Sequence, residues 1–135
     1  MTPNVAAPGW PHSPANDGRP LNGLRVLDLS RIVAGPLCAM LLADLGADVV
    51  KVEGPAGDEI RNWGPPFIGD QAAYYYVPNK NKWLLALDLK SDPDQLVLEE
   101  LIRAAGGMRI SEHERASRLH FHWRLLERVH FNTTM

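Results

Sequence analysis

Apolar residues gather in short runs along the first two thirds of the chain. Leu24, Val26, Leu27 and Leu29 form the first run, bounded by Gly23 and by Ser30-Arg31. Continuous apolar character over so few residues suits a strand buried on both faces. Pro36 then fits the first turn of a helix, where its missing N–H and fixed φ cost nothing. Leu37, Met40, Leu41, Ala43 and Leu45 make that helix apolar nearly all round, and Gly46 supplies its C-terminal cap. Asp48 to Glu53 reads as the second strand. Two buried strands joined by a helix of this length predict a parallel βαβ unit with a right-handed crossover. Its strands fall near Arg25 to Leu29 and Val49 to Val52, and its helix runs from about Pro36 to Leu45.

A Gly/Pro-rich connector, Gly54 to Gly69, follows, with a short helical turn at Asp58 to Trp63 that Asp58 caps. Loops of this length inside a compact domain are usually functional or disordered. Tyr74 to Val77 and Leu84 to Leu89 read as further extended or partly helical segments, the second as a strand. Asp92-Pro93-Asp94-Gln95 then offers an N-cap, a first-turn proline and a Gln that resembles a capping box. The helix it opens carries Val97, Leu98, Leu101, Ile102 and Ala105 on one face and stops at Gly106-Gly107. Strand, helix, strand, loop, strand, helix is an α/β pattern with a Rossmann-like parallel core.

Both ends differ from this middle. Residues 1–20 are rich in Pro, Gly, Asn and Ala and read as a flexible leader, because they offer too little apolar surface to offset ordering entropy. After Gly107 the composition changes. Four of the five histidines and five of the ten arginines lie between Met108 and Met135, whereas every lysine precedes Ser91. Ser111 with Glu114 and the spacing of Ala116, Leu119, Trp123, Leu126 and His130 suggest a helix in this divergent tail. The expected organisation is therefore a leader over 1–20, an α/β region over 21–107 and a tail over 108–135.

Composition narrows the function classes. The formal charge of −2 gives no field that would hold nucleic acid or an anionic membrane surface. No apolar run approaches the ~18–20 residues that span a bilayer. Cys38 is the only cysteine, so no intrachain disulfide or cysteine-based zinc cluster is possible, which fits the cytoplasm. His113, His120, His122 and Glu112 make a metal site only in principle, since nothing in their spacing sets a geometry; no metal is expected. Asp28 and Asp44 read as paired or capping carboxylates, and no Ser/His/Asp order suggests nucleophilic catalysis.

Several motifs stand in a telling order: Gly23 to Ser30 (GLRVLDLS), Ala34-Gly35-Pro36, Leu45-Gly46-Ala47-Asp48 leading into VVKVE, Gly57-Asp58, Arg61 and Trp63, then NKNK from Asn79 and LALDLK from Leu85. Together they resemble the N-terminal portion of the class III CoA-transferases, over roughly residues 20–106. In the family a DVLIENFRPG-type segment follows, where this chain has MRISEHERAS.

The resemblance implies an activity and a ligand. Such enzymes move coenzyme A between carboxylic acids: an aspartate attacks an acyl-CoA thioester, the released thiolate forms an aspartyl-CoA thioester, and an acceptor carboxylate takes the CoA. No residue here matches that aspartate, whose place in the family lies past residue 135, so no catalytic residue is assigned and a truncated transferase-like chain is expected. Full-length relatives resemble interlocked homodimers. Other readings are a non-catalytic interaction fragment or the family's racemase and carnitine-dehydratase-like branch.

For CoA itself, the resemblance assigns Ala34 as a contact and residues Leu87, Asp88, Leu89 and Lys90 to the adenosine end of the site. Read alone, Gly35-Pro36 is a tight strand-to-helix turn and Lys90 a solvated lysine. Position supports the assignment, because the crevice at the carboxyl ends of an open α/β sheet is where ligands bind. Lys82 and Arg61 are further cations for a phosphate of CoA. Where some relatives carry an arginine that stacks on adenine, this chain has Gly54-Pro55. The Trp63-Gly64-Pro65-Pro66-Phe67 loop is similar to that of members acting on dicarboxylates such as succinate and glutarate.

Overall fold

The computed structural model describes Trp10, residues 18–105 and residues 109–110. In chain order the elements are β1 (Arg25–Asp28), α1 (Ala34–Asp44), β2 (Asp48–Glu53) and a 3-10 turn (Glu59–Asn62). A small hairpin of β3 (Phe67–Ile68) and β4 (Gln71–Ala72) leads into α2 (Ala73–Asn79). Then come β5 (Trp83–Ala86), α3 (Asp92–Ala104) and β6 (Arg109–Ile110).

The main sheet has the order β5-β2-β1-β6, and every pair in it is parallel. Val26 lies opposite Val49, and Val52 opposite Leu85. Alternation sends successive side chains to opposite faces. Val26 and Val49 pack beneath α1 with Ala39, Ala43 and Ala47, while Leu27, Val50 and Val52 pack beneath α3 with Leu98, Leu101 and Ile102. Strands β1 and β2 are thus covered on both sides, which is why they read as near-continuous apolar runs, whereas the neighbouring β5 leaves Trp83, Leu84 and Ala86 exposed.

Helix α1 shows how this packing sorts residues. It packs its small residues Ala39 and Ala43 against the sheet, buries Pro36 and Met40 as well, and leaves Leu37, Leu41 and Leu45 exposed. Gly46 ends it with φ of +103°, donating to Ala43 O while the Ala47 amide donates to Leu42 O. These two bonds are the paired reversed contacts of a Schellman cap.

Tyr74, Tyr75, Tyr76 and Val77, read as extended or partly helical, take the helical form in α2. Other expectations need adjusting. The strand expected to reach Leu89 ends at Ala86, after which residues 87–90 turn into α3. Ser91, not Asp92, is the N-cap of α3, and its side chain makes no capping bond. Asp94 Oδ2 instead accepts from the Asp88 amide at 2.7 Å, and Gln95 Nε2 donates to Leu89 O at 2.9 Å.

At the chain's ends, Trp10 is buried in the α3-side core with the Arg25 guanidinium 5.8 Å from its ring centre, a contact that leader-like composition does not suggest. Arg109 and Ile110 add a fourth strand beside β1, even though the segment departs from the family pattern. The helix expected from Ser111 onward, and His113, His120, His122 and Glu112, lie outside the described residues. Among the described residues no helix is long and apolar enough to cross a membrane.

Candidate functional site

The carboxyl ends of β1, β2 and β5 share one edge of the sheet, since Asp28 lies beside Lys51 and Glu53 beside Ala86. Charged side chains meet there in an interior otherwise made of hydrocarbon. Asp28, fully buried, accepts from the Ser30 amide at 3.0 Å, from the Ser30 hydroxyl, and from Lys82 Nζ at 2.8 Å. Lys82 Nζ also donates to Pro36 O at 2.7 Å, which ties the first turn of α1 to the end of β1. Burial lowers the pKa of Lys82, and the charge of Asp28 acts against that shift.

A second pair lies one strand over. Lys51 has no exposed side-chain surface and donates to Asp58 Oδ2 at 2.8 Å and to Asn79 Oδ1 at 3.0 Å. Asp58 caps the 3-10 turn through the Ile60 amide, as its place after Gly57 suggests, and also accepts from the amide of Ile32. Buried charges survive only when paired and hydrogen-bonded, and both lysines meet that condition.

Glu53, two residues along β2 and so on the same face as Lys51, holds the outer part of the network. Its Oε2 accepts from Arg61 Nε at 2.9 Å and Nη2 at 2.8 Å, and its Oε1 accepts from the Tyr75 hydroxyl at 2.8 Å. Arg61 Nη1 reaches Gln71 Oε1 at 2.9 Å, and the guanidinium lies 3.8 Å from the Tyr75 ring centre. Burial first, and the bond to Glu53 second, push the Tyr75 pKa up.

This network corrects one expectation. Lys82 and Arg61 do not stand ready for a phosphate, because internal carboxylates already occupy both. The sequence does carry a signal for the missed members: charges at alternating positions 51 and 53 of an otherwise apolar strand require partners on one face. Where the partners would come from, Asp58, Tyr75 and Asn79, is set by tertiary structure alone.

Ala34 is the first residue of α1 and is exposed. Residues 87–90 form the turn from β5 into α3. Within it Leu87 is buried in the α3-side core and Leu89 packs against that core, whereas Asp88 and Lys90 are exposed. The Lys90 amide donates to Asp88 Oδ1 at 3.0 Å, and its ammonium has no partner among the described residues. Both segments therefore leave the same edge of the sheet. Because β2 stands between β1 and β5, they start about 10 Å apart. A cleft of about 380 Å³ opens at this edge, lined by Glu53, Gly54, Pro55, Ala56, Gly57, Arg61, Leu84 and Ala86. None of the five assigned residues lines it. No group of three or more His, Cys, Asp or Glu among the described residues is placed to hold a metal ion.

The family model of CoA-transferase family III matches residues 21–107. The chain belongs to that family. Among its relatives, human succinyl-CoA:glutarate CoA-transferase is 47% identical over 94 residues, covering 69% of this chain and 22% of the human protein. Succinate–glutarate CoA-transferase of Agrobacterium fabrum is 44% identical over 93 residues, covering 64% of this chain and 23% of its own length. A crystal structure of a CAIB/BAIF family protein from Brucella suis superposes with a TM-score of 0.62 at 43% identity, over 64% of this chain and 24% of that one. This CoA-transferase family III chain thus spans about a quarter of the length of the proteins it matches. The parallel β1-β2-β5 unit with its helices is similar to the fold of those relatives.

Proposed function

We propose that residues 21–107 form the coenzyme A binding part of a class III CoA-transferase, whose complete reaction carries CoA from an acyl-CoA donor to a carboxylic acid through an aspartyl-CoA thioester. The observation that supports it is the placement of Ala34 and residues 87–90 at carboxyl ends of parallel strands in one sheet. Lys90 offers an exposed ammonium to a phosphate of CoA, a charge-assisted contact. Leu87 and Leu89 are committed to the core, so in this reading they shape the backbone of the turn and the nucleotide end of CoA lies against that backbone. The names of the relatives favour succinyl-CoA as donor and a dicarboxylate as acceptor. The exposed, unpaired Cys38 suits a reducing cytoplasm.

Calorimetric titration of CoA into the wild-type chain, Lys90→Ala and Ala34→Leu tests this. Wild type should bind, Lys90→Ala should weaken binding roughly fivefold to tenfold by removing a charged contact, and Ala34→Leu should weaken it by obstructing the turn. Identical isotherms for all three chains would remove the assignment.

A second reading, association with another copy, is favoured by one feature. Val33, Leu37, Leu41 and Leu45 recur every fourth residue along α1 and all are exposed. Such a stripe is the kind of surface that partners cover, and it agrees with the homodimers that the family resemblance implies. Sedimentation velocity over a hundredfold concentration range should show a dimer; a monomer throughout would set this reading aside.

A further inference from the structure

Ile32 carries the chain from β1 toward α1 with φ of 64°. A β-branched residue strongly disfavours that left-handed backbone, so the surrounding structure has to hold it there. The Ile32 amide donates to both carboxylate oxygens of Asp58, at 3.2 and 3.1 Å. Asp58 Oδ2 receives Lys51 Nζ at 2.8 Å, and Oδ1 receives the Ile60 amide at 3.3 Å. All four contacts come from donors, which only an acceptor on both oxygens can satisfy; Asp58→Asn would turn an NH2 group toward one of them. The Asp58 and Lys51 side chains are almost fully enclosed, at 1% and 0% exposed, so this clamp is shielded from solvent. Ala34 stands two residues beyond Ile32.

We propose that Asp58, backed by Lys51, is a positioning residue that holds residues 32–34 in the conformation that receives CoA. The inference rests on the assignment of Ala34 given above. Asp58 does not touch the ligand. Without its carboxylate, Ile32 relieves its strain by returning to negative φ, and that rotation re-aims the Val33 and Ala34 backbone.

The test compares CoA affinity by calorimetry in the full chain for wild type, Asp58→Asn, Asp58→Asn with Ile32→Gly, and Ile102→Val, at a temperature where circular dichroism shows each to be folded. Asp58→Asn should weaken binding about tenfold if the competent turn falls to about a tenth of the population. Ile32→Gly in that background should restore most of the loss, because glycine adopts positive φ without penalty. Ile102→Val, a mild core change on the opposite face, should leave affinity unchanged. Equal losses in Asp58→Asn and Ile102→Val, or no restoration by glycine, would overturn the proposal. If Asp58→Asn alone does not fold, the double variant is compared with Ile32→Gly: equal affinities support the clamp, and a tenfold deficit in the double variant refutes it. Should wild type itself fail to bind CoA, the ligand assignment falls separately, and the clamp is read from amide hydrogen exchange at Ile32. Faster exchange in Asp58→Asn than in wild type and Ile102→Val then supports it, and equal exchange overturns it.

Discussion

Lys82 and Asp28 illustrate how little tolerance a buried ion pair leaves to its members. Both side chains are 0% exposed and their charges meet at 2.8 Å. Removing one partner strands the other charge in the interior, so Lys82→Met should cost about 3–5 kcal/mol in chemical denaturation. The double variant Asp28→Asn with Lys82→Met should recover a large part of that loss, a coupling that independent sites would not show. Tyr75 supplies a pH signature. Its folded pKa is raised above the ordinary 10.0, so its contribution is fully present below pH 10 and is lost as pH rises through the folded value. Wild type should therefore lose stability more steeply than Tyr75→Phe in denaturation series carried above pH 10. Equal slopes would show that burial and the bond to Glu53 do not hold the hydroxyl protonated.

The turn between β5 and α3 is governed by an element boundary rather than by a strand end. Asp94 reaches back from the first turn of α3 to the Asp88 amide, and Gln95 reaches the Leu89 carbonyl. These bonds close the turn and satisfy backbone groups that neither β5 nor α3 can satisfy internally. Asp94→Ala should destabilise the protein by about 1 kcal/mol in thermal melts, as for the loss of a helix cap. It should also raise amide exchange at Asp88 ahead of exchange in β5. An unchanged Asp88 exchange rate would mean that the turn is held by other contacts. The DPDQ pattern predicts a helix start here, and the helix does start here. That Asp94 bonds the Asp88 amide rather than a helix N-cap depended on the path of residues 87–90, which local sequence does not specify.

Across the molecule, the two faces of the sheet carry different chemistry. The α3 face is almost entirely hydrocarbon, with Leu27, Val50, Leu98 and Ile102 among its buried residues. The α1 and α2 face changes from hydrocarbon at Val26 and Val49 to ionic at Asp28, Lys51 and Glu53 as the strands approach their carboxyl ends. Burial rather than hydrophobicity as such then decides the cost of truncation. Leu27→Ala, at a fully buried position, should cost about 3–5 kcal/mol. Leu41→Ala, at a position 54% exposed, should change monomer stability by less than about 0.5 kcal/mol. Comparable losses in urea titrations of the two variants would mean that α1 packs against something more than the sheet.

By itself the sequence determined the βαβ unit, the helix at Asp92, the Gly46 cap and the family. Each of these depends on local or near-local information: the length and spacing of apolar runs, a glycine that must follow a helix end, or motifs in order. Asp28 and Asp58 could also be marked from sequence as paired or capping groups, because a carboxylate beside a buried strand or after a glycine needs a donor. Only the tertiary structure decided which donors those are. Lys82 reaches Asp28 across 54 residues and Lys51 pairs with Asp58 because α2 and the 3-10 turn fold back over the ends of the strands. The same folding paired both Lys82 and Arg61 with internal carboxylates, enclosing Lys82 fully and leaving Arg61 at the wall of the cleft. It also put Ile32 into a left-handed conformation that no propensity would choose, one that the buried Asp58 carboxylate can hold because it sits opposite the turn.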